Sequence, residues 1–283
     1  MTSVGVEGLG LIGAALTRRL IATGDPPWVY DVRPEPVEEA VAAGACAAGS
    51  SRELAERSDI VFVCVQTDAQ CIEAVDGADG LLKGARAGTT IAVISTVSPQ
   101  TIHALAAKAA ERDVALVDTP LAGHGMYGVE EGSMQAFVGD DGTLVDRLEP
   151  TMRRFTSRVV PAGPLGSGAV LKLAHNILVY AGFAAMVEAL ELARASGVRD
   201  GLVEDVAGKS GALSDLSAFT VPFYKHLRDD PHDAGEDEAL HIAAQLLAKD
   251  LSDAIALGAL HQLDLPVSRL VSGMGDVIFR ADD

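Results

Sequence analysis

Two groups of residues in this chain have types and spacings that suit chemistry. The first is Gly8-Leu9-Gly10-Leu11-Ile12-Gly13, which directly follows the apolar run 4–6 and opens a stretch of helical periodicity near Leu11. Small residues at those three positions allow a tight strand-to-helix turn, close approach of a pyrophosphate to backbone, and packing of the helix on its strand, with the helix N-terminus facing the phosphates. A second β-type run, 28–30, ends at Tyr30-Asp31, and Asp31 lies 18 residues beyond Gly13. An acid there accepts hydrogen bonds from both adenosine ribose hydroxyls and repels a 2′-phosphate, which favours NAD. Arg33 keeps NADP as the alternative, because a guanidinium just past the strand can pair with that phosphate. Glu7 is an anomaly: an acid stands where an apolar residue is expected, and the sequence offers it no role.

The second group is Gly166-Ser-Gly168-Ala-Val-Leu-Lys172-Leu-Ala-His175-Asn176. Lys172, His175 and Asn176 stand at i, i+3 and i+4, so an amine, an imidazole and an amide share one helix face whose other positions are mostly apolar. Apolar surroundings disfavour the ammonium form and move a lysine toward the range useful for proton transfer. The plainer alternative is a lysine that reaches water along an amphipathic helix, with His175 and Asn176 as capping or core hydrogen-bonders.

Composition limits the setting in which these groups act. With 48% apolar and 22% charged residues over 283 positions the chain is globular, and a prior of roughly 150 residues per domain favours two domains. The net charge of −18 offers no general attraction for nucleic acid or anionic lipid, so any anionic ligand must be met by a few local cations. Cys46, Cys64 and Cys71 form no Cys-x-x-Cys pair, which points away from a disulfide scaffold or a metal site. Neither a leader-like N-terminus nor an unbroken apolar run of about 18 residues is visible, so the expectation is a cytoplasmic protein that does not engage membrane.

The elements that must position the two groups follow from periodicity. Continuous apolar runs at 4–6, 28–30, 60–65, 90–94, 115–117 and 136–138 alternate with helical stretches near 11–23, 35–44, 51–57, 69–76, 99–112 and 142–154. Such alternation predicts a doubly wound parallel sheet, an α/β Rossmann-type domain over residues 1–165. Pro161-Ala-Gly-Pro-Leu-Gly-Ser-Gly168 breaks the pattern, and residues 166–283 read as an all-helical domain for substrate binding and oligomerisation. Its first helix, about 168–195, would be ~42 Å long and join the two. Pro222, Pro231 and Pro266 are expected to punctuate the later helices, and the acidic run from Asp229 to Glu238 to form a solvated turn.

Four motifs in order, Gly8-x-Gly10-x-x-Gly13, Asp118-Thr-Pro-Leu-Ala-Gly123, Gly166-x-Gly168-x-x-x-Lys172-x-x-x-Asn176 and Lys249-Asp250-Leu251, resemble the β-hydroxyacid dehydrogenase family over essentially the whole chain. The resemblance implies an NAD(P)-dependent oxidoreductase acting on a small anionic hydroxy acid, giving a semialdehyde or keto acid, assembled as a homodimer or homotetramer. It implies Lys172 as general acid/base and Asn176 as the residue orienting substrate; His175, on the same helix face, is a further candidate substrate contact. It also places Val65-Gln66-Thr67 over the cofactor, Ser95-Thr96 beside the nicotinamide, and Lys249 against cofactor and substrate. On their own, Ser95-Thr96 also read as a helix N-cap before Pro99, and Lys249-Asp250 as a surface pair. Family members commonly carry Asp-x-Pro-Val-Ser-Gly-Gly; this chain has Ala122 for the serine and His124 for the second glycine, followed by a loop to Gly132 one residue longer than usual. Gly123 and its neighbours can still receive an anion through backbone N–H groups, and His124 can add a donor. These departures point away from plain 3-hydroxyisobutyrate. Imine reduction, oxidative decarboxylation and a non-catalytic dinucleotide-binding module remain the competing functions.

Overall fold

The structure is a computed structural model that describes residues 2–140, 142–229 and 234–279. The chain divides into two compact units, Met1–Lys172 and Leu173–Asp283. In the first unit the order is β1 (Val4–Glu7), α1 (Leu11–Ala22), β2 (Trp28–Tyr30), α2 (Pro34–Ala42), β3 (Cys46–Ala47), α3 (Ser51–Glu56), β4 (Ile60–Val63), α4 (Asp68–Asp76) and α5 (Leu81–Gly84). There follow β5 (Thr90–Val93), α6 (Pro99–Ala110), β6 (Ala115–Asp118), β7 (Leu121–Ala122), α7 (Gly125–Glu131), β8 (Met134–Gly139), α8 (Thr143–Met152), β9 (Thr156–Gly163) and the start of α9 (Ser167–Ala195).

Six parallel strands form the main sheet in the order β3-β2-β1-β4-β5-β6. Side chains alternate across it, so Ile60 and Phe62 of β4 enter one core with Leu16, Leu20 and Phe155, while Val61 and Val63 enter the other with Leu54, Ile91 and Leu105. Burial on both faces is why these strands read as unbroken apolar runs.

In the architecture of the first unit, two expectations need correction. The run 136–138 does not extend the main sheet; it belongs to β8, which pairs antiparallel with β7 and parallel with β9 in a separate three-stranded sheet. The stretch 123–132, expected as a loop, contains α7. Glycines at 125 and 128 lower its intrinsic helix propensity. Tertiary contacts override them: Val129 is fully buried, Arg18 Nε donates to Glu130 at 2.8 Å, and Arg19 donates to the Glu130 carbonyl at 3.0 Å.

The second unit continues α9 and adds α10 (Leu202–Ser210), α11 (Asp215–Asp229), α12 (Ala234–Leu260), α13 (Pro266–Val271) and α14 (Gly275–Phe279). Its two cores gather Ala184, Leu247, Leu251, Val271 and Ile278, and Met186, Val187, Leu190, Val221 and Tyr224. Pro222 lies inside α11 and does not break it, whereas Pro266 opens α13. Pro231, Asp230 and Asp233 lie outside the described residues; Glu236 and Asp237 occupy the first turn of α12 rather than a turn between helices. By length and a mean hydropathy of 1.6, α9 is apolar enough to cross a membrane, a test that the core helix of a globular protein also passes.

Candidate active site and cofactor cleft

The glycine turn is built as its three positions require, each for a different reason. Gly8 has φ +85, and a Cβ there would lie 2.6 Å from the Cys64 carbonyl oxygen; a Cβ on Gly13 would lie 1.9 Å from the Gly8 carbonyl oxygen. Both therefore serve the fold, through the turn and the helix–strand contact. Gly10 differs, because among the described residues a Cβ on it would meet nothing within 4 Å. The space beside Gly10 adjoins the start of α1, where the first intrahelical bond is Ala14 N to Gly10 O at 2.8 Å, so the N–H groups of Leu11, Ile12 and Gly13 point off the helix end. A pyrophosphate fits that cradle by charge and by room.

Around the turn lies a cleft of about 520 Å³ lined by Glu7, Gly8, Gly10, Tyr30, Asp31, Val32, Arg33, Val65, Gln66 and Gln70, among others. Asp31 is the hinge of this arrangement. Its Oδ2 accepts from the Leu9 backbone N–H at 2.7 Å, and its Oδ1 accepts from Arg33 N at 2.9 Å and from Arg33 Nε at 3.3 Å. Burial pushes this carboxyl up, but the bonds from the Arg33 and Leu9 backbone and from the guanidinium outweigh it and hold it below the ordinary range. Leu9 contributes no side chain to the cleft, being 4% exposed in the core, and its N–H is committed to Asp31. Leu11 is exposed and Ile12 half-buried.

The loop 65–67 is held from both sides. Val65 N donates to Ser95 Oγ at 2.8 Å, Gln66 N donates to Gln70 Oε1 at 2.9 Å, and Thr67 caps α4 in a reciprocal pair with Gln70. The N-cap of α6 is Ser98, not Ser95 or Thr96: Thr101 N donates to Ser98 Oγ, and Ser95 instead ties β4 to β5 through the Val63 carbonyl. Thr96 is half-buried.

Sequence reasoning missed the roles of two carboxylates. Asp118, 1% exposed, accepts from Gly166 N at 2.8 Å on Oδ1 and from Ala169 N at 2.7 Å on Oδ2. It thereby caps α9 and fixes where the helix begins, with half-buried Lys172 in its second turn. The glycines of the second motif answer to the same carboxylate: Gly166 has φ +88, and a Cβ on Gly168 would lie 2.8 Å from Asp118 Oδ2. Asp250, 5% exposed, accepts from Asn176 Nδ2 at 2.7 Å, from the Tyr180 hydroxyl at 3.3 Å and from Lys249 Nζ at 3.0 Å. Lys249 also donates to Asp253 at 3.2 Å. Burial pushes the Lys249 ammonium down, yet its two carboxylate partners raise it overall, so it stays charged. The pair is therefore no exposed surface pair. His175 is half-buried with Nδ1 3.4 Å from Asn176 Oδ1. The signal for Asp250 was its place in the last motif, but no spacing announces a partner 74 residues away.

At the substrate turn, Ala122 is 2% exposed in β7 and supplies no side-chain donor. Gly123 is exposed with φ +143, and a Cβ there would lie 2.8 Å from Met134 Sδ. His124 is half-buried at the N-cap of α7.

The chain matches two family profiles in succession: the NAD binding domain of 6-phosphogluconate dehydrogenase over residues 3–163, and the profile described as NAD-binding of NADP-dependent 3-hydroxyisobutyrate dehydrogenase over residues 166–281. It belongs to the β-hydroxyacid dehydrogenase family. A Mycobacterium tuberculosis protein described as an uncharacterized oxidoreductase is 34% identical over 284 aligned positions, covering 96% of this chain and 93% of that one. The NAD-dependent L-serine dehydrogenase of Pseudomonas aeruginosa is 29% identical over 251 positions, 89% of this chain and 83% of that one. The crystal structure of 3-hydroxyisobutyrate dehydrogenase from Salmonella typhimurium superposes with a TM-score of 0.83 at 25% identity, over 100% of this chain and 95% of that one. The chain is an NAD(P)-dependent oxidoreductase of the class that acts on CH–OH groups, with a nicotinamide cofactor and the expected Rossmann-like domain followed by helices.

Proposed function

We propose that this enzyme interconverts a small anionic hydroxy acid and its semialdehyde or keto acid, with NAD preferred over NADP and Lys172 as general acid/base. The observation that carries the proposal is the position of Lys172: six residues into a helix whose start Asp118 fixes, half-buried, with His175 and Asn176 following on the same helix face. A bound nicotinamide supplies the hydride-transfer chemistry. Lys172 takes the hydroxyl proton during oxidation and returns it during reduction. Asn176, locked to Asp250, orients the substrate, and Lys249 and His175 add donors to the acid.

NAD is preferred because Asp31 presents a carboxylate where NADP would bring a phosphate, and Arg33, the cation that would offset this, is already engaged by Asp31 at 3.3 Å. Gly123 and His124 receive the substrate carboxylate. Because buried Ala122 offers no hydroxyl there, a substrate other than plain 3-hydroxyisobutyrate is expected. The test is to supply NAD or NADP with a panel of short hydroxy acids, and the reduced cofactors with the corresponding aldehydes, and to follow nicotinamide absorbance. Turnover of at least one hydroxy acid, faster with NAD, is expected; turnover of imines alone would refute the proposal. The protein is further proposed to be cytoplasmic and a homodimer or homotetramer; the exposure of apolar residues such as Leu178 and Leu192 supports the assembly. A monomer by light scattering would contradict the assembly.

A further inference from the structure

Glu7 is the one acid in the glycine turn, and its surroundings single it out. Its side chain is directed to the same sheet face as its register partners Tyr30 and Val63, at the floor of the cleft, and the residue is only 4% exposed. Oε1 accepts from Ser51 Oγ at 2.9 Å, while Oε2 is buried with no hydrogen-bond partner among the described residues. Among the described residues no cation compensates it. The charged neighbours in the cleft are the carboxylates of Asp31 after β2, Glu73 on α4 and Asp79 in the loop beyond, and the one guanidinium, that of Arg33, is paired with Asp31. Ser51 on α3, the Tyr30 phenol at the end of β2, the Cys64 thiol after β4 and the Cys71 thiol on α4 are the other polar and titratable groups that act on Glu7. A buried carboxyl among other acids, with an oxygen that nothing donates to, favours its neutral form. In that form Oε1 is the acceptor that Ser51 already satisfies, and the carboxyl carries a proton for which the described residues supply no acceptor.

The same cleft exposes the apolar side chain of Val32, 85% accessible, beside Val65. An adenine has the complementary surface: apolar faces and ring nitrogens that accept hydrogen bonds. We propose that Glu7 is a specificity-determining residue for the adenosine half of the cofactor, its carboxyl acting as a hydrogen-bond donor to an adenine ring nitrogen. The proposal rests on the assignment of this cleft to the nicotinamide dinucleotide, and it is independent of Lys172. Burial, opposed by the Ser51 hydrogen bond and reinforced by Asp31, pushes the Glu7 carboxyl up to about 8, which places the donor form at neutral pH.

The test is direct titration of the full-length protein with NAD, and separately with nicotinamide mononucleotide, from pH 6.5 to 9.5 with no substrate present. For the wild type the Kd for NAD is expected to weaken about tenfold between pH 7 and 9, as one proton linked to binding requires. Glu7→Gln keeps a neutral donor and is expected to bind NAD tightly with a flat profile. Glu7→Leu is expected to weaken NAD at pH 7 by about tenfold, the loss of one buried hydrogen bond, without changing the affinity for the mononucleotide, which lacks adenosine. A flat wild-type profile, a Glu7→Gln profile that overlays it, or a Glu7→Leu variant that binds NAD as tightly as the wild type would each overturn the proposal. Substrate turnover plays no part in these readouts, so failure of the Lys172 mechanism would leave them unchanged.

Discussion

Asn176 and Asp250 are joined by a buried 2.7 Å hydrogen bond between side chains 74 residues apart in the chain. The same carboxylate receives the Lys249 ammonium at 3.0 Å, so one acid holds a residue from each of the last two motifs. Replacing it with Asp250→Ala leaves the Asn176 amide and the Lys249 ammonium short of a buried partner. The expected cost is about 1–3 kcal/mol of stability, read by urea unfolding, with Asp250→Asn less harmful than Asp250→Ala. Lys249 would also lose a partner that raises it, and would titrate lower. A variant as stable as the wild type would show that this network is dispensable.

The glycine turn separates fold from function by position. Gly13→Ala drives a Cβ to within 1.9 Å of the Gly8 carbonyl oxygen, so it should fail to fold or unfold at markedly lower denaturant. The Cβ of Gly10→Ala meets no described residue within 4 Å, and Gly10 has φ −68, which alanine adopts without strain. Its melting temperature should be close to that of the wild type, while its Kd for NAD should rise by tenfold or more because the methyl occupies room a phosphate needs. Equal cofactor affinity in Gly10→Ala would contradict the placement of the pyrophosphate.

The cap formed by Asp118 sets the start of the helix that carries Lys172. Asp118→Ala leaves the Gly166 and Ala169 N–H groups without their acceptor and should cost about 1–3 kcal/mol. Because the cap sets the start of α9, turnover should fall more than cofactor affinity does. Steady-state kcat alongside a cofactor titration checks this; a fall in affinity with unchanged kcat would argue against a positioning role.

Much of this architecture is legible in the sequence because it depends on periodicity. The parallel strands are continuous apolar runs since both faces are buried, and α9 shows itself through an unbroken helical pattern after the glycine–proline break. The short β3 and β7 have two residues each, too few for any period to register, and α7 hides behind Gly125 and Gly128. The candidate site divides in the same way. Gly8, Gly10, Gly13 and Asp31 follow from local spacing, and so does the shared face of Lys172, His175 and Asn176. What Asp118 and Asp250 do depends on contacts across 48 to 74 positions, which no local pattern carries.

Glu7 makes a pH prediction of definite sign. Its carboxyl in the folded protein holds a proton to about 8, against an ordinary value of 4.5, so the folded state binds more protons than the unfolded chain between those values. Its contribution to stability is fully present below 4.5, is lost as pH rises toward 8, and is level above that. Urea unfolding of Glu7→Gln against wild type should give a difference that grows in favour of the variant from about pH 5 to 8, at on the order of 1 kcal/mol per unit. A difference independent of pH would show that Glu7 titrates normally.

The measurement that reaches the central claim is turnover by Lys172→Met on a hydroxy acid that the wild type oxidises, with cofactor affinity measured on the same sample. Removal of a general acid/base predicts a kcat lower by about 10²–10⁴-fold with the Kd for NAD nearly unchanged. A Lys172→Met enzyme with near-normal kcat would contradict the account.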